Sequence, residues 1–127
     1  MPKEIVHTDE APEAVGAYSQ ATTAGELVFT AGQIPLTPDG DLLADAPVDR
    51  QTEQALDNLV AVLREAGAGV EDVLKTTVLL ADIDDFETVN ETYATYFREE
   101  PPARSAVQAG ALPKGVAVEI EAVAAVD

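Results

Sequence analysis

Pro101-Pro102-Ala103-Arg104-Ser105-Ala106, then Leu112-Pro113-Lys114-Gly115 and Val116-Ala117-Val118-Glu119-Ile120-Glu121, decide how this chain folds. An arginine opens one apolar run, and a glutamate alternates with aliphatic residues in the next. Gly110, Pro113 and Gly115 between them are enough to reverse the chain. Read as two strands, the runs predict Arg104 and Glu119 side by side near a sheet end. A fixed cation beside a fixed carboxylate suits a small anionic substrate that must also meet a water.

Working outward, Leu74 to Ala81 is β-branched and apolar, the content of a buried strand. Asp84 or Asp85 is placed to cap a helix carrying Phe86, Val89, Tyr93 and Phe97 at spacings of three and four, and Pro101-Pro102 stops it. Further upstream Ala55, Leu56, Leu59, Val60 and Leu63 trace one helical face. Asp49 is the expected N-cap, with Gly67 and Gly69 at the far end. Ala17–Thr23 and Leu27–Ala31 flank Ala24-Gly25-Glu26 as a hairpin, and Ile5–Thr8 is a short strand. The order is β-β-β-α-β-α-β-β, which predicts a mixed sheet with two helices on one face. The other face lacks a third helix to cover it, and sheets packing together in an oligomer are the expected cover.

At 127 residues, 46% of them hydrophobic, residues 1–127 form one domain. With no cysteine there is no thiolate nucleophile and no Cys-ligated metal. His7, the single histidine, precludes a multi-His metal site within a protomer, so no metal is expected. The net charge of −17 disfavours nucleic acid and anionic membrane as partners. The acids are scattered rather than gathered in a tail. They read as the solubilising shell of a halophile's protein or as a surface for a basic partner. No apolar h-region opens the chain and no apolar stretch is long enough to span a bilayer, so a cytoplasmic location is expected.

The residues that can carry chemistry each have a plainer alternative. Arg104 offers a planar fork for a carboxylate, or is half of a structural ion pair. Glu119 and Glu121 share one face of a strand, where Glu119 is either a surface carboxylate or the group that orients and deprotonates a water. Tyr18, at an expected strand start, points into a cleft or packs. Gly32, ending a strand in Thr30-Ala31-Gly32-Gln33, lets a backbone N–H approach a ligand or simply turns the chain. Phe86 is mainly core on the second helix and Asn90 on the same face lines a wall, and both are candidate substrate-binding residues. Ser19 and Ser105 have no nearby His or Lys base.

At this point the chain resembles the RidA family, also known as YjgF/YER057c/UK114. The matching segments are Gly16-Ala17-Tyr18-Ser19-Gln20-Ala21, Ala31-Gly32-Gln33-Ile34-Pro35, Gln54-Ala55-Leu56-Asp57-Asn58-Leu59 and Val73-Leu74-Lys75-Thr76-Thr77-Val78. They continue with Asp85-Phe86-Glu87-Thr88-Val89-Asn90, Pro102-Ala103-Arg104-Ser105, Leu112-Pro113-Lys114 and Val118-Glu119-Ile120-Glu121. The resemblance implies an α+β, chorismate-mutase-like fold and a homotrimer whose sheets form a central β-barrel, with clefts between subunits, so that Arg104 and Glu119 need not be neighbours within one sheet. It implies hydrolysis of reactive enamine and imine carboxylates, such as 2-aminoacrylate and its imine tautomer, to 2-keto acids and ammonia, without cofactor. On this sequence the carboxylate-binding arginine falls on Arg104, the water-positioning glutamate on Glu119, the pocket tyrosine on Tyr18 and the ligand-contacting glycine on Gly32. Three positions depart from the family pattern. Ala106 replaces a common cysteine, Ala31 a common serine and Ala17 a common proline; Ala31 and Ala106 still fall where substrate is contacted. The alternative is a non-catalytic binder of small molecules or of a partner on the same trimer, and ribonuclease action is disfavoured by the charge.

Overall fold

The computed structural model describes residues 1–127. The chain runs β1 (Lys3–Val6), β2 (Ala21–Ala24), β3 (Leu27–Thr30), α1 (Val48–Glu65), β4 (Val73–Leu80), α2 (Phe86–Tyr96), β5 (Ala103–Gln108) and β6 (Val118–Ala125). This is the element order read from the sequence, with the first strand and the hairpin shifted by a few residues. Tyr18 accordingly lies in the loop ahead of β2 rather than in a strand.

One six-stranded sheet has the order β1-β2-β3-β6-β4-β5. All neighbours are antiparallel except β4 and β5, which run parallel because α2 carries the chain back between them. β6 is inserted between β3 and β4, so the last strand of the chain is a central one. Val118, Ile120, Ala122 and Ala124 are buried in alternation and face α1. They meet Leu56, Leu59, Val62 and Leu63 of α1, with Val28, Val78, Leu80, Val89 and Tyr93 completing the core.

Helix ends differ in detail from expectation. Pro47 stands at the N-cap position of α1 and Asp49 falls in its first turn, where a carboxylate still complements the helix dipole. At the far end Gly67, at φ 87°, takes the left-handed conformation, and the N–H of Ala68 returns to Leu63 O at 2.8 Å. Asp85 stands at the N-cap position of α2, as expected, but makes no side-chain cap; the capping side chain is Asp82, one turn earlier. It accepts from Asp84 N at 2.9 Å and starts a one-turn 3-10 segment that feeds the helix.

Two polar residues on the buried face of α1, Asn58 and Gln51, fasten the long segment between β3 and α1, and Gln54 braces Asn58. Asn58 donates to Ile34 O and Leu36 O at 3.0 and 2.8 Å and accepts from Gln54 at 2.9 Å. Gln51 donates to Ala44 O and Ala46 O and accepts from Ala117 N at 2.9 Å. Buried amides are costly unless paired, and these are paired with loop backbone that would otherwise lack partners.

The second face of the sheet is bare. Register places Ile5, Thr22 and Phe29 there with Val123, and Glu119 and Glu121 there with Leu79, Thr77, Val107 and Ser105. Ile5, Leu27, Phe29 and Val107 are exposed on it. A face this apolar without a covering element is the feature that called for an oligomer.

Candidate active site

The two charges expected to be neighbours are not. β4 separates their strands: Arg104 is level with Thr76, whereas Glu119 is level with Leu79. Two strand spacings and a three-residue offset put their Cα atoms roughly 14 Å apart. Their faces differ as well. Thr76 points to the helices and carries Arg104 with it; Leu79 points to the bare face and carries Glu119 with it.

Arg104 is built into the helix side. Its Nη1 donates to Asn90 Oδ1 at 2.7 Å. Its guanidinium lies over two rings, 5.1 Å from the centre of Phe86 and 4.8 Å from that of Tyr93. Tyr93 is held in turn by a 2.7 Å hydrogen bond between its hydroxyl and that of the buried Thr76. Burial pushes the Tyr93 phenol above its ordinary pKa, so it stays neutral beneath the cation. Phe86, Asn90 and Tyr93 reach one arginine because positions i, i+4 and i+7 share a helix face. The structural ion pair considered for Arg104 is absent: the ion pairs are His7–Asp9 and Arg50–Glu53. In a chain with 24 acids and 7 bases, an arginine left without a carboxylate has donors to offer a ligand. Phe86, Arg104 and Ala106 line a shallow cleft of about 650 Å³ with Ile83, Asp84 and Glu87.

Glu119 belongs to a second, larger cleft of about 770 Å³, whose lining includes Tyr18, Ala31, Gly32, Gln33 and Lys114. A bulge creates its floor. Phe29 pairs with Val123, and Gln33 pairs with Ile120, so three residues on one side span two on the other. The Thr30 hydroxyl fills the gap by accepting from Ala122 N at 3.0 Å. The extra residue turns Gly32 onto the face of Glu119, so closely that a Cβ on Gly32 would overlap the carboxylate. The N–H groups on either side are engaged, Ala31 with Gln20 O and Gln33 with Ile120 O, while that of Gly32 stays free. Burial, and secondarily the Glu121 carboxylate, hold Glu119 above the usual carboxylate pKa. A carboxylate so shifted exchanges protons more readily near neutrality.

Tyr18 is 54% exposed on the wall of this cleft. Its loop is anchored by Gln20, which is buried, accepts from Thr8 N at 2.7 Å and donates to Thr8 O and Pro12 O. The structure thus gathers Glu119, Tyr18, Gly32 and Ala31 in one cleft and Arg104, Phe86, Asn90 and Ala106 around another. Asn90 lines a groove with Tyr93, Pro102 and Arg104, as expected of a wall residue, and in addition braces Arg104. Tyr93 and Lys114 were not singled out from the sequence. The spacing Phe86, Asn90, Tyr93 was the available signal for the first; the second lies in the matching segment Leu112-Pro113-Lys114, which carried no side-chain role for it.

Residues 8–126 match the endoribonuclease L-PSP family. The chain is 48% identical over 122 residues to the 2-iminobutanoate/2-iminopropanoate deaminase of Rattus norvegicus, covering 96% of this chain and 89% of that one. It is 45% identical over 124 residues to a RutC family protein of Pyrococcus abyssi, covering 98% of each. Among solved structures, Escherichia coli TdcF with bound serine superposes with a TM-score of 0.92 at 42% identity, covering 98% of this chain and 99% of that one. A match across nearly the whole length, in sequence and in fold, leaves one conclusion: the chain belongs to the endoribonuclease L-PSP family, the YjgF/RidA family.

Proposed function

We propose that this protein hydrolyses reactive enamine and imine carboxylates to 2-keto acids and ammonia. It works as a homotrimer whose bare sheet faces pack into a central barrel and whose clefts are completed by a neighbouring subunit. The observation that carries the reading is Arg104: unpaired in an acidic chain, braced by Asn90, and laid on two aromatic rings. Such a guanidinium is pre-organised for a planar anion. The bare apolar face supports the assembly, and the rat relative's name supports the chemistry.

Once the enamine has tautomerised, the imine R–C(=NH)–COO⁻ consumes one water and yields R–CO–COO⁻ and NH₃. Arg104 holds the carboxylate, and the Gly32 N–H adds a second donor. Glu119 takes a proton from water as the water oxygen bonds to the imine carbon and passes it to the imine nitrogen, giving a carbinolamine. It then takes the hydroxyl proton as the C=O bond forms and gives it to nitrogen as the C–N bond breaks and NH₃ leaves. Tyr18 orders the water or closes the cleft. The nucleophile is water, so Ala106 and Ala31 remove a thiol and a hydroxyl without removing a reacting group.

The experiment generates 2-aminoacrylate enzymatically and measures keto-acid release with wild type, Arg104→Ala and Glu119→Ala. Wild type accelerates release and both variants lose most of the gain, by roughly a hundredfold or more. Equal rates in wild type and Arg104→Ala would sink the mechanism. The serine bound in E. coli TdcF favours a second reading, a trimer that binds small amino or imino acids without turning them over. Saturable binding of a 2-keto acid with no rate enhancement would establish that one. RNA cleavage, suggested by the family's descriptor, is disfavoured by a net charge of −17, which repels phosphates.

A further inference from the structure

Two residues other than glycine adopt positive φ: Glu100 at 44°, in the turn before Pro101-Pro102, and Lys114 at 57°. Lys114 is followed by Gly115, also left-handed at 72°, so the chain makes two consecutive left-handed steps in the connection from β5 to β6. Such a position favours glycine or asparagine, and a lysine held there is strained. The loop is not free to relax. Leu112 and Val116, on either side, are buried, and Ala117 N is bonded to Gln51 of α1. Lysine is therefore kept where local conformation argues against it.

Its surroundings suggest why. Lys114 lines the Glu119 cleft, whose other charged lining residues are Glu13 and Glu119. An anionic ligand entering there meets two carboxylates in a protomer of net charge −17, and Lys114 is the one cation on the walls. Arg104 cannot serve from within the same chain, since it stands on the opposite face of the sheet.

We propose that Lys114 is a substrate-binding residue. It offsets the field of Glu13 and Glu119 and draws the carboxylate of an imino or keto acid into the cleft. The proposal rests on the hydrolase reading for its substrate, yet its test does not require turnover. An attractive charge at a cleft mouth acts on entry and affinity more than on the reacting bonds. The expected signature is thus a raised KM or Kd with kcat largely kept.

The experiment measures binding of 2-oxobutanoate and of its uncharged carboxamide to the full-length protein, by calorimetry at constant ionic strength. The variants are Lys114→Asn, which tolerates the left-handed backbone but loses the charge, Lys114→Gly, which also removes the strain, and Lys114→Arg, which keeps the charge. Lys114→Asn and Lys114→Gly weaken 2-oxobutanoate binding roughly three- to tenfold, with the carboxamide unchanged. Lys114→Arg restores most of the affinity. Thermal melts show all three folded. Equal losses for acid and carboxamide, unchanged acid affinity in both neutral variants, or no binding of 2-oxobutanoate by wild type would each overturn the assignment. If wild type binds 2-oxobutanoate with this charge dependence but never accelerates imine hydrolysis, the hydrolase reading fails and Lys114 keeps its role.

Discussion

Adding one methyl group at Gly32 tests whether the Glu119 carboxylate acts from the place where it is seen. An alanine Cβ there would stand 2.8 Å from Glu119 Cδ and 2.9 Å from Cγ, whereas ordinary contact begins near 3.4 Å. The carboxylate must therefore retreat by at least about 0.6 Å, and displacements near 1 Å from a productive geometry cost on the order of a hundredfold. Stability should hardly respond. Gly32 does not occupy the left-handed region, and the obstructing atoms all belong to the Glu119 side chain, from Cγ outward, rather than to backbone. Losing glycine's freedom in the unfolded chain returns about 0.4–1 kcal/mol against the displacement. Gly32→Ala should melt within a few degrees of wild type while imine hydrolysis falls roughly ten- to a hundredfold. The assay is keto-acid release from freshly generated 2-aminoacrylate, with thermal melts on the same samples. Gly32→Ala/Glu119→Ala should be no slower than Glu119→Ala, because both substitutions disable one group. Activity of Gly32→Ala within threefold of wild type would refute the catalytic placement of Glu119. An additive loss in the double variant would show that Gly32 acts through something else.

The pH dependence follows from the raised pKa of Glu119. As a base it must be ionised, so kcat/KM should rise with pH through a value above the usual carboxylate range. Glu121→Gln should move that limb to lower pH by removing the second carboxylate; an unmoved limb would assign it to another group. The same shift predicts that ionising Glu119 subtracts stability as pH climbs from its unfolded pKa through its folded one. Glu119→Gln should therefore raise Tm at pH 7 but gain nothing at pH 3, as scanning calorimetry at the two pH values would show. Beneath Arg104, Tyr93→Phe keeps the ring and loses the Thr76 bond, costing about 1 kcal/mol in denaturant melts with KM little changed. Tyr93→Leu removes the shelf and should raise KM for carboxylate substrates several-fold, which steady-state kinetics at matched folded fraction would check. A trimer of this chain would carry 3 × −17 = −51 charges. If the acidic shell is an adaptation to salt, sedimentation should show dissociation in dilute buffer and assembly in molar salt, where screening shortens to about 3 Å. An unchanged profile across that range would remove the halophile reading.

How much of this was legible depended on whether the deciding contacts are local in sequence. The periodicities of Leu56, Leu59 and Leu63, and of Phe86, Val89 and Tyr93, reported both helices, because a helix buries residues that lie three and four apart. Alternation in Val118-Glu119-Ile120-Glu121 reported both the strand and the shared face of its glutamates. Strand order left no such trace. Proximity in sequence of β5 and β6 suggested a pair, yet β6 pairs with β3 and β4, whose partners lie some ninety and forty residues away (roughly, by position in the chain). The error was more than one of distance. Facing residues on paired strands share a face, so Arg104 takes its side from Thr76 and Glu119 from Leu79, and those two neighbours on β4 point opposite ways. Gly32 reaches Glu119 only because a bulge adds one residue to its strand, which no propensity in Thr30-Ala31-Gly32-Gln33 announces. These facts bear on mechanism together. If one substrate needs both the Arg104 fork and the Glu119 carboxylate, the sheet itself stands between them within a protomer. A second chain whose β5 edge reaches the Glu119 cleft would bring the two charges together, since β5 is an edge strand and Arg104 lies on the helix side of its own sheet. Assembly would then be part of the catalytic apparatus rather than a source of stability alone. A charged substitution such as Phe29→Asp, on the exposed face and outside either cleft, should abolish hydrolysis while the isolated protomer stays folded. Mixing Arg104→Ala with Glu119→Ala protomers should restore part of the activity that neither has alone, since some mixed clefts would receive an intact residue from each chain. Mixtures as inactive as their components would place both residues' work within one chain and undo the shared-cleft argument.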